Sequence, residues 1–478
     1  MTNENEALGR KPKVHFIGIG GTAMVAGARL ALEAGWEVRG SDVPLYPPTS
    51  DMVAALGVPV ASGFDAANLD WAPDLVLVGN ALSRGNPEVE AMLERRLRYA
   101  SLPEWLKEHV LRQRHSVAVC GTHGKTTTTA LTAHVLQGCG MDPGYLIGGQ
   151  PLGFEHSARL GPEGVPFVIE GDEYDTAFFD KRAKFFHYLP EIAVVTSVEF
   201  DHGDIYADLP EIELAFQRML RQIPKDGCLI ACADNRAAHL KAHAFSRVAT
   251  YGFSEDADWR GEILDAQDGY QRMRIWHDHQ AWGSIEAPLA GKHNLLNTLA
   301  AVAVAATLGA NPETIAAAVR TFPGVRRRME VFLETKGAVF VDDFAHHPTA
   351  IRETVAAARM RWPGQRIRVL FEPRSNTTVT NRFFGDLAEA FSAADEVWLG
   401  PIFRADRIPE TERLDREALA NHLQRGGGEA HVEDDVEHIL EAVCDTLCPG
   451  DVILILSNGA FGGIHRRFVE LLSPDSKP

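Results

Sequence analysis

Short apolar runs recur along the chain between amphipathic stretches of helical period. Val14–Ile19, Leu75–Val78, Ser116–Cys120, Val165–Ile169, Ile192–Ser197, Arg368–Phe371, Glu396–Leu399 and Val452–Leu456 read as strands. Their alternation with helices predicts an α/β protein with largely parallel sheets. The chain has 478 residues, and at roughly 150 residues per domain that length suggests three domains. A helical linker, Leu102–Arg114, leads into a new strand at Ser116. A second break falls at Phe322-Pro323-Gly324, after the Ala-rich helix Leu295–Leu308. The expected domains are therefore 1–108, 109–323 and 324–478. No short repeat and no low-complexity segment interrupts them.

Charge and composition narrow the partners. The formal net charge is −18, which opposes coating of nucleic acid or of an anionic membrane, since both need a basic face. Anionic small ligands stay open wherever cations and backbone N–H groups are concentrated locally. The N-terminal stretch is polar and lacks the apolar core of a signal peptide. The longest apolar run, Leu299–Ala310, is too short to span a bilayer. A soluble, cytoplasmic protein is expected. Six cysteines in this length do not form a disulfide framework. The pairs Cys228/Cys232 and Cys444/Cys448 have no His or Cys nearby to complete a tetrahedral site, so they read as reduced core thiols.

Two glycine loops carry candidate chemistry. Val14–Ile17 runs into Gly18-Ile19-Gly20-Gly21-Thr22-Ala23-Met24, a strand entering a G-x-G-x-x-A turn and then a helix. Such a turn lets a diphosphate approach the backbone and meet the helix N-terminus. A second strand, Glu37–Gly40, ends at Ser41-Asp42, where a dinucleotide-binding fold keeps its ribose-binding acid. The turn identifies a diphosphate; a dinucleotide and a UDP-sugar both carry one.

The second loop, Gly121-Thr122-His123-Gly124-Lys125-Thr126, follows the strand Ser116–Cys120. Its N–H groups can wrap phosphates, Lys125 can reach the β- and γ-phosphates, and the Thr126 hydroxyl can ligate Mg²⁺. Val119 stands where the general phosphate-loop pattern has its first glycine. Two acidic segments, Glu170-Gly171-Asp172-Glu173-Tyr174-Asp175 and Glu199-Phe200-Asp201-His202-Gly203-Asp204, each follow an apolar strand. They lie at the sheet edge where α/β proteins bind ligands and where Mg²⁺ finds carboxylate oxygens.

Taken together these motifs resemble the Mur ligase family, over essentially the full length. The G-T-H-G-K-T loop (121–126) is similar to the family's ATP loop, and G-I-G-G-T-A-M (18–24) to its UDP-binding turn. By the same pattern Glu170 resembles the Mg²⁺-binding glutamate and His202 a ligand of a second metal. Asn294, in Gly291–Asn297, resembles the adenine contact, Asp343 the ribose contact, and Arg328 the arginine that reaches the γ-phosphate from the C-terminal domain. His346 and His347 are adjacent in the chain and do not read as a metal pair. G-N-A-L-S-R-G-N-P-E-V-E (79–90), E-Y-D-T-A-F-F-D-K-R (173–182), F-E-P-R-S-N-T (371–377) and S-N-G-A-F-G-G-I-H (457–465) point to the branch that adds a whole peptide. Gly171 departs from the family's usual alanine.

The resemblance implies a Rossmann-like UDP-binding domain, a central ATPase domain with a phosphate loop, and a Rossmann-like C-terminal domain. It implies Mg²⁺ as cofactor and UDP-N-acetylmuramate, ATP and the murein tripeptide L-alanyl-γ-D-glutamyl-meso-diaminopimelate as substrates. The expected catalytic residues are Lys125, His202 and Arg328, and the expected metal ligands Thr126, Glu170 and His202. ATP would meet Gly121, Thr122, His123, Gly124, Lys125, Thr126, Asn294, Arg328 and Asp343. The UDP-sugar would meet Gly18, Gly20, Gly21, Thr22, Asp42 and Asn80. The peptide would meet Arg374, Ser375 and Asn376, because a strand-end guanidinium can pair bidentately with a carboxylate. A ligase adding free L-alanine, an NAD-dependent oxidoreductase and a non-catalytic nucleotide sensor remain the alternatives.

Overall fold

A computed structural model describes residues 10–45, 49–201, 203, 205–267 and 269–473. A two-stranded sheet, Asp175–Ala177 with Asp180–Ala183, stands apart, and three larger sheets follow one another along the chain. In the first, the strands Val60–Ser62, Glu37–Asp42, Lys13–Ile17, Leu75–Val78 and Tyr99–Ser101 lie side by side in that order, all parallel. Leu75–Val78 is buried throughout, which is why it reads as an unbroken apolar run rather than an alternating one. The strand order reverses between Lys13–Ile17 and Leu75–Val78, and Gly18 and Gly79 lie at the crevice this opens.

The central sheet has ten strands. Its parallel middle comprises Arg247–Gly252, Cys228–Cys232, Ile192–Val195, His115–Cys120, Pro166–Gly171 and Gly144–Leu146. The helices Lys125–Gly138 and Lys292–Thr307 are buried along most of their length. The small side chains of the Ala-rich helix permit that burial. Trp259–Gln267, Tyr270–His277 and Gln280–Ala287 extend the sheet as an antiparallel meander. The third sheet has the order Glu330–Thr335, Ala338–Asp343, Asp451–Leu456, Arg366–Phe371, Glu396–Leu399, Glu429–Val432, parallel except for its first strand.

The linker divides into the helix Leu102–His109 and a 3₁₀ turn, Leu111–Gln113. Ser101 and Glu104 form a reciprocal cap at its start. Leu102 packs where Gly27 has no side chain; a Cβ there would lie 2.3 Å from Leu102 Cδ1. Among the described residues no helix is long and apolar enough to cross a membrane. Cys228 and Cys232 are buried strand residues, but Cys444 is only half-buried and Cys448 is exposed. The second pair is therefore not core, because it lies at the end of a surface helix, Val436–Asp445, and just beyond it.

Candidate active site

The first glycine turn joins a strand to a helix as the sequence predicts, and its acid has a contact within the turn itself. Gly18 and Ile19 donate their N–H groups to the Ser41 carbonyl at 2.9 and 3.1 Å, and Gly18 adopts φ +79°. The helix Thr22–Glu33 starts with no side-chain cap and no acid in its first turn, leaving N–H groups for an anion. Asp42 Oδ2 accepts the Gly20 N–H at 2.7 Å, so this carboxylate holds the turn itself. Asn80 follows Gly79 across the crevice. Beneath lies a chain the sequence reading missed: Trp71 Nε1–H donates to His15 Nδ1, His15 Nε2 meets the buried Glu88, and Glu88 accepts the Ser41 hydroxyl. The indole fixes the imidazole tautomer, leaving Nε2 to donate to the carboxylate.

The second loop joins the strand His115–Cys120 to the helix Lys125–Gly138. Gly121 and Gly124 take φ of +125° and +80°, and both are pressed against neighbours. A Cβ on Gly121 would fall 2.3 Å from Thr196 Oγ1, and one on Gly124 2.5 Å from Asn297 Oδ1. Thr122 N–H and His123 N–H bind the Ser197 carbonyl and hydroxyl. Lys125 Nζ donates to the Gly121 carbonyl at 2.7 Å and to both Glu173 oxygens at 3.0 and 2.8 Å. Against the cost of burial, Glu173, Asp172 and Glu170 hold this ammonium above its usual pKa. Glu173, read in the sequence only as part of the acidic segment 170–175, thus holds Lys125.

Thr126 Oγ1 donates to Glu170 Oε1 at 2.9 Å, and Gly148 N–H donates to Oε2 at 2.8 Å. Burial pushes the Glu170 carboxyl above the ordinary range, only partly offset by Lys125. A hydroxyl and a half-buried carboxylate form a hard-oxygen donor pair that fits Mg²⁺. His202, expected as catalytic residue and metal ligand, lies outside the described residues.

Gly171 beside this donor pair has a specific neighbour: a Cβ there would stand 2.2 Å from Cys120 Sγ. The cysteine explains the departure from the family's alanine. Gly171→Ala is expected to cost about 1–3 kcal/mol by overpacking, measured by denaturant unfolding. Cys120→Ala in the same chain should recover most of that loss, and a double variant no more stable than Gly171→Ala alone would rule the explanation out.

A cavity of about 320 Å³ opens beside the loop. Of the expected ATP contacts, His123, Gly124, Thr126, Asn294, Arg328 and Asp343 line it, whereas Gly121, Thr122 and Lys125 lie behind it in the loop. Lys292, from the segment Gly291–Asn297, also lines it, as do Asn235 and Tyr251, which carry no sequence signal. The C-terminal domain contributes through a strained turn: Arg327 and Met329 take φ of +59° and +51°, a conformation costly for non-glycine residues. Arg327 is clamped by Asp342 Oδ2 at 3.2 Å and by the carbonyls of Ser457 and Gly459. Asp343 accepts the N–H groups of Met329 and Ala345, both at 2.8 Å. These bonds hold the turn from both sides, and Arg328 lines the cavity from it with its guanidinium over Phe344.

In the C-terminal domain, the Arg374 guanidinium lies over Phe403, 3.5 Å from the ring centre. Its Nη1 is 3.4 Å from Glu372 Oε1. Ser375 Oγ donates to the His346 carbonyl at 3.0 Å, and Asn376 is exposed. The next residue, Thr377, donates to Asp201 of the central domain at 2.6 Å. The loop is therefore tied to the acidic segment that follows the strand Ile192–Val195.

Two nucleotide-type loops, an interdomain cavity and a distal arginine define an ATP-using α/β enzyme of the Mur ligase type. The Mur ligase family catalytic domain matches residues 13–114, the Mur ligase middle domain 119–305, and the Mur ligase glutamate ligase domain 327–459. The chain belongs to the Mur ligase family. It is 41% identical over 471 residues to the UDP-N-acetylmuramate–L-alanyl-γ-D-glutamyl-meso-2,6-diaminoheptandioate ligase of Escherichia coli K12, covering 96% of this chain and 98% of that one. It is 36% identical to the UDP-N-acetylmuramate–L-alanine ligase of Halorhodospira halophila, covering 96% and 93%. The crystal structure of a murein peptide ligase from Psychrobacter arcticus superposes with a TM-score of 0.73 at 36% identity, covering 98% of this chain and all of that one.

Proposed function

We propose that this enzyme joins the lactyl carboxylate of UDP-N-acetylmuramate to the α-amino group of L-alanyl-γ-D-glutamyl-meso-diaminopimelate, with ATP as the energy source, in the cytoplasm. The observation that carries this reading is the full-length similarity to the E. coli peptide-adding ligase. The Arg374 platform, a cation on the C-terminal domain, supports it.

The reaction divides into two displacements. A lactyl oxygen attacks the γ-phosphorus, the bond to ADP breaks, and an acyl phosphate forms. The amine then attacks that carbonyl, and the tetrahedral adduct expels phosphate. Lys125, released from Glu173, and Arg328, delivered by the strained turn, would neutralise charge on the transferring phosphoryl group. Catalysis of this kind is mostly positioning and electrostatics. Thr126 and Glu170 would hold Mg²⁺, which when bound supplies charge neutralisation at the phosphates. The helix Thr22–Glu33 and its glycine turn would anchor the UDP diphosphate.

The second reading, addition of free L-alanine, is favoured by the similarity to the Halorhodospira halophila enzyme. ATP-dependent phosphate release in the presence of UDP-N-acetylmuramate separates the two. The expected result is turnover with the tripeptide and little with L-alanine; the reverse preference would overturn the assignment.

A further inference from the structure

Three side chains meet beside the ATP loop, none of them given a catalytic or metal-binding role above, although His123 is an expected ATP contact. His123 comes from the glycine loop, Glu199 from the segment after the strand Ile192–Val195, and His347 from the start of the helix Pro348–Arg361 in the C-terminal domain. His123 Nε2 lies 3.2 Å from Glu199 Oε2, and His347 Nδ1 lies 3.8 Å from the same oxygen. The three ligand atoms all fall within 4.8 Å of one another, and the imidazole centres are 4.6 Å apart. We propose that His123, Glu199 and His347 bind a borderline divalent cation of the Zn²⁺ class, tying the ATP loop to the C-terminal domain.

The donor set carries the chemical class. Two imidazoles and one carboxylate suit Zn²⁺, whereas Mg²⁺ prefers oxygen ligands such as those of Thr126 and Glu170. Tetrahedral Zn²⁺ with bonds near 2.1 Å puts its ligands about 3.4 Å apart. The His123–Glu199 separation already matches, and the His347 ring must swing inward. The supporting shell is present. His347 Nε2 faces the Phe200 carbonyl at 3.3 Å, which puts the proton there and leaves Nδ1 as the lone-pair donor. Thr349 Oγ1 donates to Glu199 Oε2 at 2.7 Å, orienting the carboxylate. Ligating imidazoles and carboxylates are held in this way at metal centres. One contact opposes the site: His347 Nδ1 also accepts the Thr349 N–H at 3.3 Å, a helix cap that a cation would displace.

The test is Zn²⁺ binding to the full-length protein, read by competition with a chromophoric chelator in millimolar Mg²⁺. One equivalent is expected. Glu199→Gln and His347→Asn should each weaken it at least about tenfold; asparagine keeps a capping group at 347, so folding is preserved. Co²⁺ should show the intense visible bands of a low-coordinate site in the wild type and lose them in His347→Asn. His431→Ala, in the separate group Glu396, Glu429 and His431 on the third sheet, and Cys448→Ala should leave binding unchanged. Absence of Zn²⁺ binding would overturn the proposal. So would binding that survives both Glu199→Gln and His347→Asn, or that vanishes in Glu170→Ala while they retain it.

Discussion

Glu170→Gln is expected to abolish acyl-phosphate formation, lowering turnover by at least about a thousandfold, or roughly 4 kcal/mol of transition-state stabilisation. The variant isolates charge from shape. Glu170 accepts the Thr126 hydroxyl through one oxygen and the Gly148 N–H through the other. A glutamine of the same length can keep one of those bonds, so the loop should remain folded. What it removes is a half-buried negative charge, which desolvation disfavours and a cation would offset. Phosphoryl transfer depends on neutralising the γ-phosphate, so the loss falls on the chemical step. UDP-N-acetylmuramate binding should change less than about twofold, because the glycine turn belongs to another sheet. Isotope exchange or trapping of the acyl phosphate measures the first effect and calorimetry the second. Full turnover by Glu170→Gln would mean that the metal is held elsewhere.

What the sequence revealed follows from which interactions are local. Both phosphate turns were legible because strand, glycine loop and helix are contiguous, and glycine is required where a Cβ would collide, as at Gly121. The resemblance points to Arg328 as a candidate, yet its place on the cavity depends on Arg327 and Met329 in the left-handed region, held by Asp342, Ser457 and Asp343 from other segments. No local pattern encodes that. The antiparallel meander of residues 259–287 was missed because its strands mix charged and apolar residues without a buried run. Asp42 reads as a ribose contact from its place after the second strand, and no local pattern shows that its carboxylate also holds the Gly20 N–H. The same limit applies to His347. As a neighbour of His346 it read as no ligand, and only the packing of the C-terminal domain brings it to His123 and Glu199.

Arg374→Ala is expected to raise the KM for L-alanyl-γ-D-glutamyl-meso-diaminopimelate at least tenfold, equivalent to about 1.4 kcal/mol. The KM for ATP should barely move. The tripeptide carries three free carboxylates, and a protein of net charge −18 repels it unless cations are placed to receive them. Arg374 is such a cation, and it is preorganised. Phe403 supports one face of the guanidinium at 3.5 Å, and the Gly459 backbone lies so near that a Cβ there would come within 2.2 Å of Nε. A fixed planar guanidinium loses little entropy on pairing with a carboxylate, and it pairs bidentately, which lysine cannot do. Glu372 at 3.4 Å is a weak internal partner, positioned to be exchanged for substrate. Gly459→Ala should therefore reproduce much of the defect by pushing the guanidinium off Phe403. Combined with Arg374→Ala it should add little, since both changes remove one interaction. Arg374→Lys should recover only part of the affinity. An unchanged peptide KM in Arg374→Ala would reject the assignment, and additive losses in the double variant would show that Gly459 acts on the peptide by another route.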